Sequence, residues 1–441
     1  MLCSLIVLPA AAQRVSTNDA LHRRGNLWDD IWNDGFIGNG CAWDYCTTAP
    51  LGMYPGFDGF THPIGGESNA INTFANANFH NFRSGVWIIA KDLMTPGIPP
   101  NFSPVETDYE LYASGAQGET RGVVSVRAPI EFIENYIESD GFDPLRPEEM
   151  TSATWHTNTG ITVTRRSYVW SFPDYDDFIL YDYEFENTGM MVSNQGDVVV
   201  QNPAFVQTLN EVWFAFHSAV SVSTKSQINF HSDLLGVQAG AFGWQWPYHD
   251  HYNIRDNGAL VFSTNYNGGA SPPPFDSFSQ KEPSEWQAKF GQELQSPAAF
   301  GWVVLHADPK GATPRATPAP DVFRIDTFKG NLEGPEDLEF FTPGDNSPAE
   351  FYNFARTATL QPGVGNSGDR FNIYTQSYGP YRMAPGAKVR FVVAEVAGVM
   401  DYHDVIAGDP DGHFPDSTIA AIIRNVNNAR NAVAWGLGAT A

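Results

Sequence analysis

The sequence predicts an all-β protein, a large antiparallel β-sandwich with long Gly/Pro-rich loops and a short C-terminal helix. Three observations predict it. Aromatic residues make up 14% of the 441 positions and charged residues only 17%, while 40 Gly and 31 Pro are present. Aromatics suit pleated, half-buried surfaces, and Gly and Pro punctuate the turns between strands. Short apolar or alternating runs recur along the chain, and helical periodicity is nearly absent until its end.

The chain opens on MLCSLIVLPAAAQ. An apolar run from Leu2 to Leu8 precedes Pro9 and an A-x-A-like cleavage site, Ala10 to Ala12. This pattern predicts residues 1–12 as a secretory signal lacking its basic n-region. The run is too short to span a bilayer. A hydrophobic first strand that pairs with a neighbouring subunit is the alternative. Cleavage would remove Cys3 and leave Cys41 and Cys46 in CAWDYC. Two cysteines so close in an exported chain suggest a small disulfide loop, with two free thiols as the alternative. They have no nearby His partners and so do not make a zinc site.

Strands are expected at 85–90 (GVWIIA), 122–128, 161–170 and 198–200, then at 212–216, 259–264, 300–306 and 388–396. Each is an apolar or alternating run bounded by turn residues. Proline-rich stretches at 95–104, around Gly269 and at 310–320 read as extended loops, since proline cannot donate to a sheet ladder. Residues 13–408 therefore form the sandwich domain, with a split near 310–320 as the alternative. Residues 409–441 form a helical tail. Asp416 and Ser417 offer N-cap oxygens, and Ile419, Ile422, Ile423, Val426, Ala429 and Val433 form a stripe that should pack on the sheet.

The stretch DYDDFILYDYEFENTG (174–189) crowds six carboxylates into sixteen residues. From Phe178 onward the period of two puts Ile179, Tyr181, Tyr183 and Phe185 on one face. Leu180, Asp182, Glu184 and Glu186 lie on the other. That pattern predicts a strand with one buried face and one solvated face. Asp174, Asp176 and Asp177 precede the strand, in a loop whose oxygens could take calcium or simply form a turn. GDPDGHFPDS places Asp409, Asp411 and Asp416 around Gly412. Its composition suits calcium, but the EF-hand spacing fails, and acids at a helix entry favour the N-terminal dipole. No cofactor is assured by these loops, and calcium is the one they could take.

In WQWPYHDHY, His249 and His251 would share a strand face and could serve a metal or acid–base chemistry. Trp244, Trp246, Tyr248 and Tyr252 around them could line a sugar-binding shelf or pack structurally. Gly363, Gly365 and Gly368 match G-x-G-x-x-G, but a strand follows where a phosphate loop needs a helix. No serine-hydrolase elbow, H-E-x-x-H or Walker A pattern is present. The net charge of −25, from 25 basic and 50 acidic residues, repels phosphate backbones and excludes nucleic acid as a partner.

Five segments in order, DGFIGN (34–39), LGMYPGFDG (51–59), SGVWIIAKD (84–92), DDFILYDYEFENTG (176–189) and GPYRMAPGAKVRFVVAEVAG (379–398), carry a family resemblance. Together they resemble an uncharacterised family of secreted bacterial β-sheet proteins, many ending in a type IX secretion sorting domain. The resemblance spans most of residues 25–410 and implies a secreted, cell-surface or matrix protein. It brings no catalytic residues. No such sorting module follows the last helix here, which leaves the export route and anchoring open. The expected function is non-enzymatic: a structural or adhesive protein of the cell surface, matrix or an extracellular fibre. Its partners would be copies of itself, other surface proteins or extracellular glycans, and no transmembrane span is expected. A carbohydrate-binding or carbohydrate-degrading protein is the alternative.

Overall fold

The computed structural model describes residues 19–37, 52–53, 79–91, 109–113, 124–126, 128–192, 199–201, 206–220, 251–264, 298–327, 352–353, 355–357, 364–366, 372–399 and 414–436. The first half holds β1 (Asp19–His22), β2 (Asp29–Trp32), β3 (Gly52–Met53), β4 (Phe79–Lys91), β5 (Tyr109–Ala113), β6 (Val124–Val126), β7 (Glu131–Glu134), β8 (Glu149–Thr157), β9 (Ile161–Val169) and β10 (Phe178–Asn187). Then come β11 (Met190–Val192), β12 (Val199–Gln201), β13 (Leu209–Val220), β14 (His251–Arg255), β15 (Leu260–Thr264), β16 (Ala298–Ala307), β17 (Val322–Thr327), β18 (Val364–Asn366), β19 (Asn372–Met383) and β20 (Lys388–Val399). Helix α1 (Phe414–Ala434) closes the described chain.

Among the described residues, one sheet of ten strands runs β18-β14-β15-β16-β20-β10-β9-β8-β6, with β7 also on β8. A second, of six strands, runs β17-β19-β13-β4-β3, with β5 also on β4. Each of these pairings is antiparallel. The central one, between β10 and β20, sets Asp182 beside Val392 and Glu184 beside Arg390. The two sheets face one another across a shared core. Tyr183, Phe185 and Phe391 from the larger sheet meet Phe214 and Phe216 of β13 and Tyr378 of β19. Rings in such edge-to-face contact add about 0.5–1.5 kcal/mol per pair beyond their burial. This is the β-sandwich that aromatic content and turn punctuation predict.

The N-terminal segment that carries β1 and β2 contributes to this core. Leu27, Ile31 and Ile37 are all completely buried there. Residues 310–320 carry the chain from β16 in one sheet to β17 in the other, and the segment is sewn down. Tyr378 donates to the Pro318 carbonyl at 2.8 Å, and Lys310 Nζ reaches Asp321 at 2.8 Å.

Helix α1 packs on the outer face of the larger sheet. Ile422, Val426, Ala429 and Ala432 meet Phe178, Leu180, Ala394 and Val396, with Ile419, Ile423 and Val433 at the margin. The helix starts at Phe414 with Pro415 in its first turn, two residues before the predicted cap at Asp416 and Ser417. Proline's fixed φ suits that place and carries the helix past the predicted entry.

One expectation needs correction. The second face of β10 is not a solvated face. Leu180 lies under the helix, and Asp182 is only 4% exposed, where Arg390 binds it through Nε at 2.8 Å and Nη2 at 3.1 Å. Only Glu184 and Glu186 stay half-exposed, both beside Lys388. The period of two assigned faces correctly but could not see what covers them.

Candidate functional site

Helix periodicity and one clamped loop build a surface site together. Arg424, Asn428 and Asn431 share a face of α1 that its apolar stripe leaves outside the core, and Trp435, in the turn just past the helix, continues that line four residues after Asn431. That face runs along the loop before β10. Asn428 Nδ2 donates to the Asp174 carbonyl at 2.8 Å, and the Trp435 ring stacks on Tyr175 at 5.6 Å with 24° between planes. Phe172 lies 5.9 Å from Tyr175. Trp435 is 67% exposed and Phe172 43%.

The loop is held from three sides. Asn26 N donates to the Asp176 carbonyl at 2.6 Å, and Ala397 N donates to the Asp177 carbonyl at 2.8 Å. The Asp177 carboxylate accepts from Asn26 Nδ2 at 3.0 Å and from Asn425 Nδ2 at 2.9 Å. Gly25 must be glycine here, because a Cβ would stand 2.7 Å from the Asp176 carbonyl oxygen. Asp174 takes φ 72°, a left-handed conformation that Asp tolerates better than most residues. A strained residue inside an over-determined loop is a mark of functional surfaces.

Charge sharpens the picture. Burial first, and the Asp177 carboxylate second, push the Asp176 carboxyl up to about 6. The Arg424 and Asp174 side chains are well exposed and 3.9 Å apart, so their ion pair contributes little. Among the described residues, no group of three or more His, Cys, Asp or Glu converges to hold a metal ion. The arrangement offers an exposed Trp435 ring stacked near-parallel on a half-buried Tyr175, with carboxylate and amide groups beside it. Such a shelf can stack on an apolar ligand face and hydrogen-bond its edge.

The residues singled out from sequence divide as follows. Asp174, Asp176 and Asp177 belong to the shelf loop. Asp416 falls within α1, while Asp409 and Asp411 lie outside the described residues. Trp244, Trp246, Tyr248, His249, Cys41 and Cys46 also lie outside them, as do residues 1–12. His251 opens β14, and Tyr252 packs half-buried against the interior core. Phe172, Asn428 and Trp435 were missed. The signal for Trp435 was present: a large aromatic off the apolar stripe of an amphipathic helix.

A second arrangement also escaped the motif search. His22 Nδ1 lies 3.1 Å from Glu149 Oε2, and His22 Nε2 lies 2.7 Å from Ser167 Oγ. Tyr136 donates to Glu149 Oε1 at 2.8 Å. Against the upward push of burial, hydrogen bonds from His22, the Arg23 backbone and Tyr136 hold Glu149 below the usual carboxylate range. The distances are those of a Ser–His–acid triad. Yet His22 and Ser167 are fully buried, and the Ser167 hydroxyl is also bonded to Thr151. A nucleophile must meet its substrate, and this one is sealed. It locks β1 onto β8 and β9.

No protein-family model and no curated protein matches the chain. Among solved structures, an Escherichia coli K12 protein described as a "Putative aldose 1-epimerase" is similar at 8% identity. The overlap covers 87% of this chain and 100% of that one, with a TM-score of 0.29. So loose a likeness carries no argument about activity. The class of protein is defined instead by the chain's own strand pairing and shelf: a β-sandwich with a clamped aromatic surface.

Proposed function

We propose that this chain is an extracellular, non-enzymatic adhesive protein that holds glycans on the Phe172–Tyr175–Trp435 shelf. One observation carries the reading. Trp435 is stacked, two-thirds exposed and backed by a loop fixed through Asn26, Asn425 and Asn428. A pre-fixed platform loses little entropy on binding, which favours ligands that engage by stacking. The signal-like segment at 1–12 and the resemblance to secreted bacterial β-sheet proteins support an extracellular place. The acidic loop and the net charge of −25 favour neutral glycans over polyanionic ones.

The test is retention on immobilised neutral polysaccharides, with Trp435→Ala as control and thermal unfolding to verify its fold. Wild-type protein should be retained, and the variant should bind about tenfold more weakly, the loss of roughly one stacking interaction. Equal retention of both, or none of either, overturns the reading. Reducing ends released during incubation would point to carbohydrate degradation instead, with Asp176 as the acid to substitute.

A further inference from the structure

Past Tyr168 and Leu180, which belong to the apolar cluster under helix α1, the outer face of the ten-stranded sheet turns polar. Strand register sets one row across it: Glu131 on β7, Ser152 on β8, Arg166 on β9 and Asp182 on β10. Directly paired residues of an antiparallel sheet hold their Cβ atoms about 4.5–5.5 Å apart, so Ser152 and Asp182 stand on either side of Arg166. Thr164 lies on the same face of β9, two residues before Arg166, and its hydroxyl meets that of Thr154 at 3.2 Å. Ser152, Thr154, Thr164 and Arg166 are all half-buried.

Glu131 is exposed at the rim of this row, and the charges on its other side are engaged. Arg390 holds Asp182 at 2.8 and 3.1 Å, Lys388 holds Glu184 at 2.7 Å, and His306 meets Asp308 at 2.9 Å. Arg166 differs. Its guanidinium makes no hydrogen bond and no ion pair among the described residues, and it acts on Asp182 only through space. Arg255 and Arg382 are unpaired in the same sense, but both stand exposed, where water serves a guanidinium well. Arg166 is instead half-buried and presents a planar fork of N–H donors beside three hydroxyl side chains.

We propose that this face binds a small hydroxylated monocarboxylate, its carboxylate on Arg166 and its hydroxyls against Ser152, Thr154 and Thr164. The guanidinium fork matches a carboxylate with two parallel hydrogen bonds, which makes such a pair both strong and directional. One unpaired cation beside Asp182 and Glu184 suits a single negative charge and disfavours a doubly charged phosphate. Each Ser or Thr hydroxyl both donates and accepts, so the three suit a polyhydroxylated body rather than an apolar one. This face is separate from the Phe172–Tyr175–Trp435 shelf and does not rest on its reading.

The test is calorimetric titration with glucuronate, made in the Trp435→Ala background so that the shelf contributes nothing. Glucuronate should bind saturably, and adding Arg166→Gln should weaken it about tenfold, the loss of one charge-assisted contact. Arg166→Lys keeps the charge without the fork and should fall between the two. Because Arg166 bonds nothing in the fold, all three proteins should unfold at the same temperature, which separates lost binding from lost structure. Glucose and inorganic phosphate, titrated in parallel, should each bind more weakly than glucuronate. Absence of saturable glucuronate binding, equal binding after Arg166→Gln, or glucose or phosphate binding as tightly as glucuronate overturns the proposal.

Discussion

His217 is buried on β13, with Nδ1 3.0 Å from Thr375 Oγ1 and its ring 3.7 Å from that of Trp87. Burial first, and the charge of Arg324 second, push its pKa down to about 3. In the unfolded chain the same imidazole titrates near its ordinary value of about 6.5. Its contribution to stability is therefore fully present above pH 6.5. It is lost as pH falls through the window toward 3, with a limiting slope of about 1.4 kcal/mol per pH unit. Asp176 has the opposite sign: its raised pKa favours the fold at low pH and loses that effect as pH rises through about 6. The check therefore compares urea midpoints at pH 7 and pH 5 for wild type and His217→Gln. The wild type should lose more stability between the two, and parallel losses would remove His217 as the cause. Residue environments of this kind are the least legible in sequence. Asp182 sits at a position that alternation gives to solvent, and only the pairing of β10 with β20 brings Arg390, opposite Glu184, within diagonal reach of it. That pairing joins residues 208 apart, beyond any local pattern.

At the scale of elements, strong periodicity was legible and polar strands were not. The runs at 161–170, 259–264 and 388–396 became β9, β15 and β20 within a few residues. β8, with the sequence EMTSATWHT, has no apolar run to announce it. It is a strand because its hydroxyls and imidazole pair across to β9, His156 with Thr162 at 2.7 Å and Thr154 with Thr164 at 3.2 Å. The apolar stripe of α1 identified the helix, but what docks it is a glycine. A Cβ on Gly398 would stand 2.3 Å from the Ile422 backbone nitrogen and 2.5 Å from its Cα, both atoms that cannot swing away. Gly398→Ala should therefore push α1 off the sheet and cost about 1–3 kcal/mol, the range for overpacking. Trp435 should move with the helix and the stacking on Tyr175 should loosen, which near-UV circular dichroism reads beside a lowered unfolding temperature. An unchanged spectrum at unchanged stability would show that the helix seats some other way.

For the whole molecule, the class of fold followed from composition and turn chemistry, because every strand of a sandwich needs the same alternating, aromatic-rich surface. The order of strands did not follow, since it is set by contacts between distant segments. The N-terminal piece at 19–37 shows why. Its strands are four residues each, DALH and DDIW, too short and too acidic to stand out. Yet Leu27, Ile31 and Ile37 fill the space between the two sheets, and Ile37 bridges to Ser84 on β4. From the same piece, His22 locks to Ser167 and Glu149, and Gly25 and Asn26 clamp the shelf loop. One segment thus joins both sheets and the surface site. Ile31→Ala should accordingly act globally, removing about 2–5 kcal/mol as for other fully buried aliphatic truncations. Tryptophan fluorescence and far-UV circular dichroism should shift together in one transition, because a core shared by both sheets cannot melt in parts. Fraying of the N-terminal piece alone, seen as local hydrogen exchange with the main transition unmoved, would instead make it an accessory to a sandwich that stands without it.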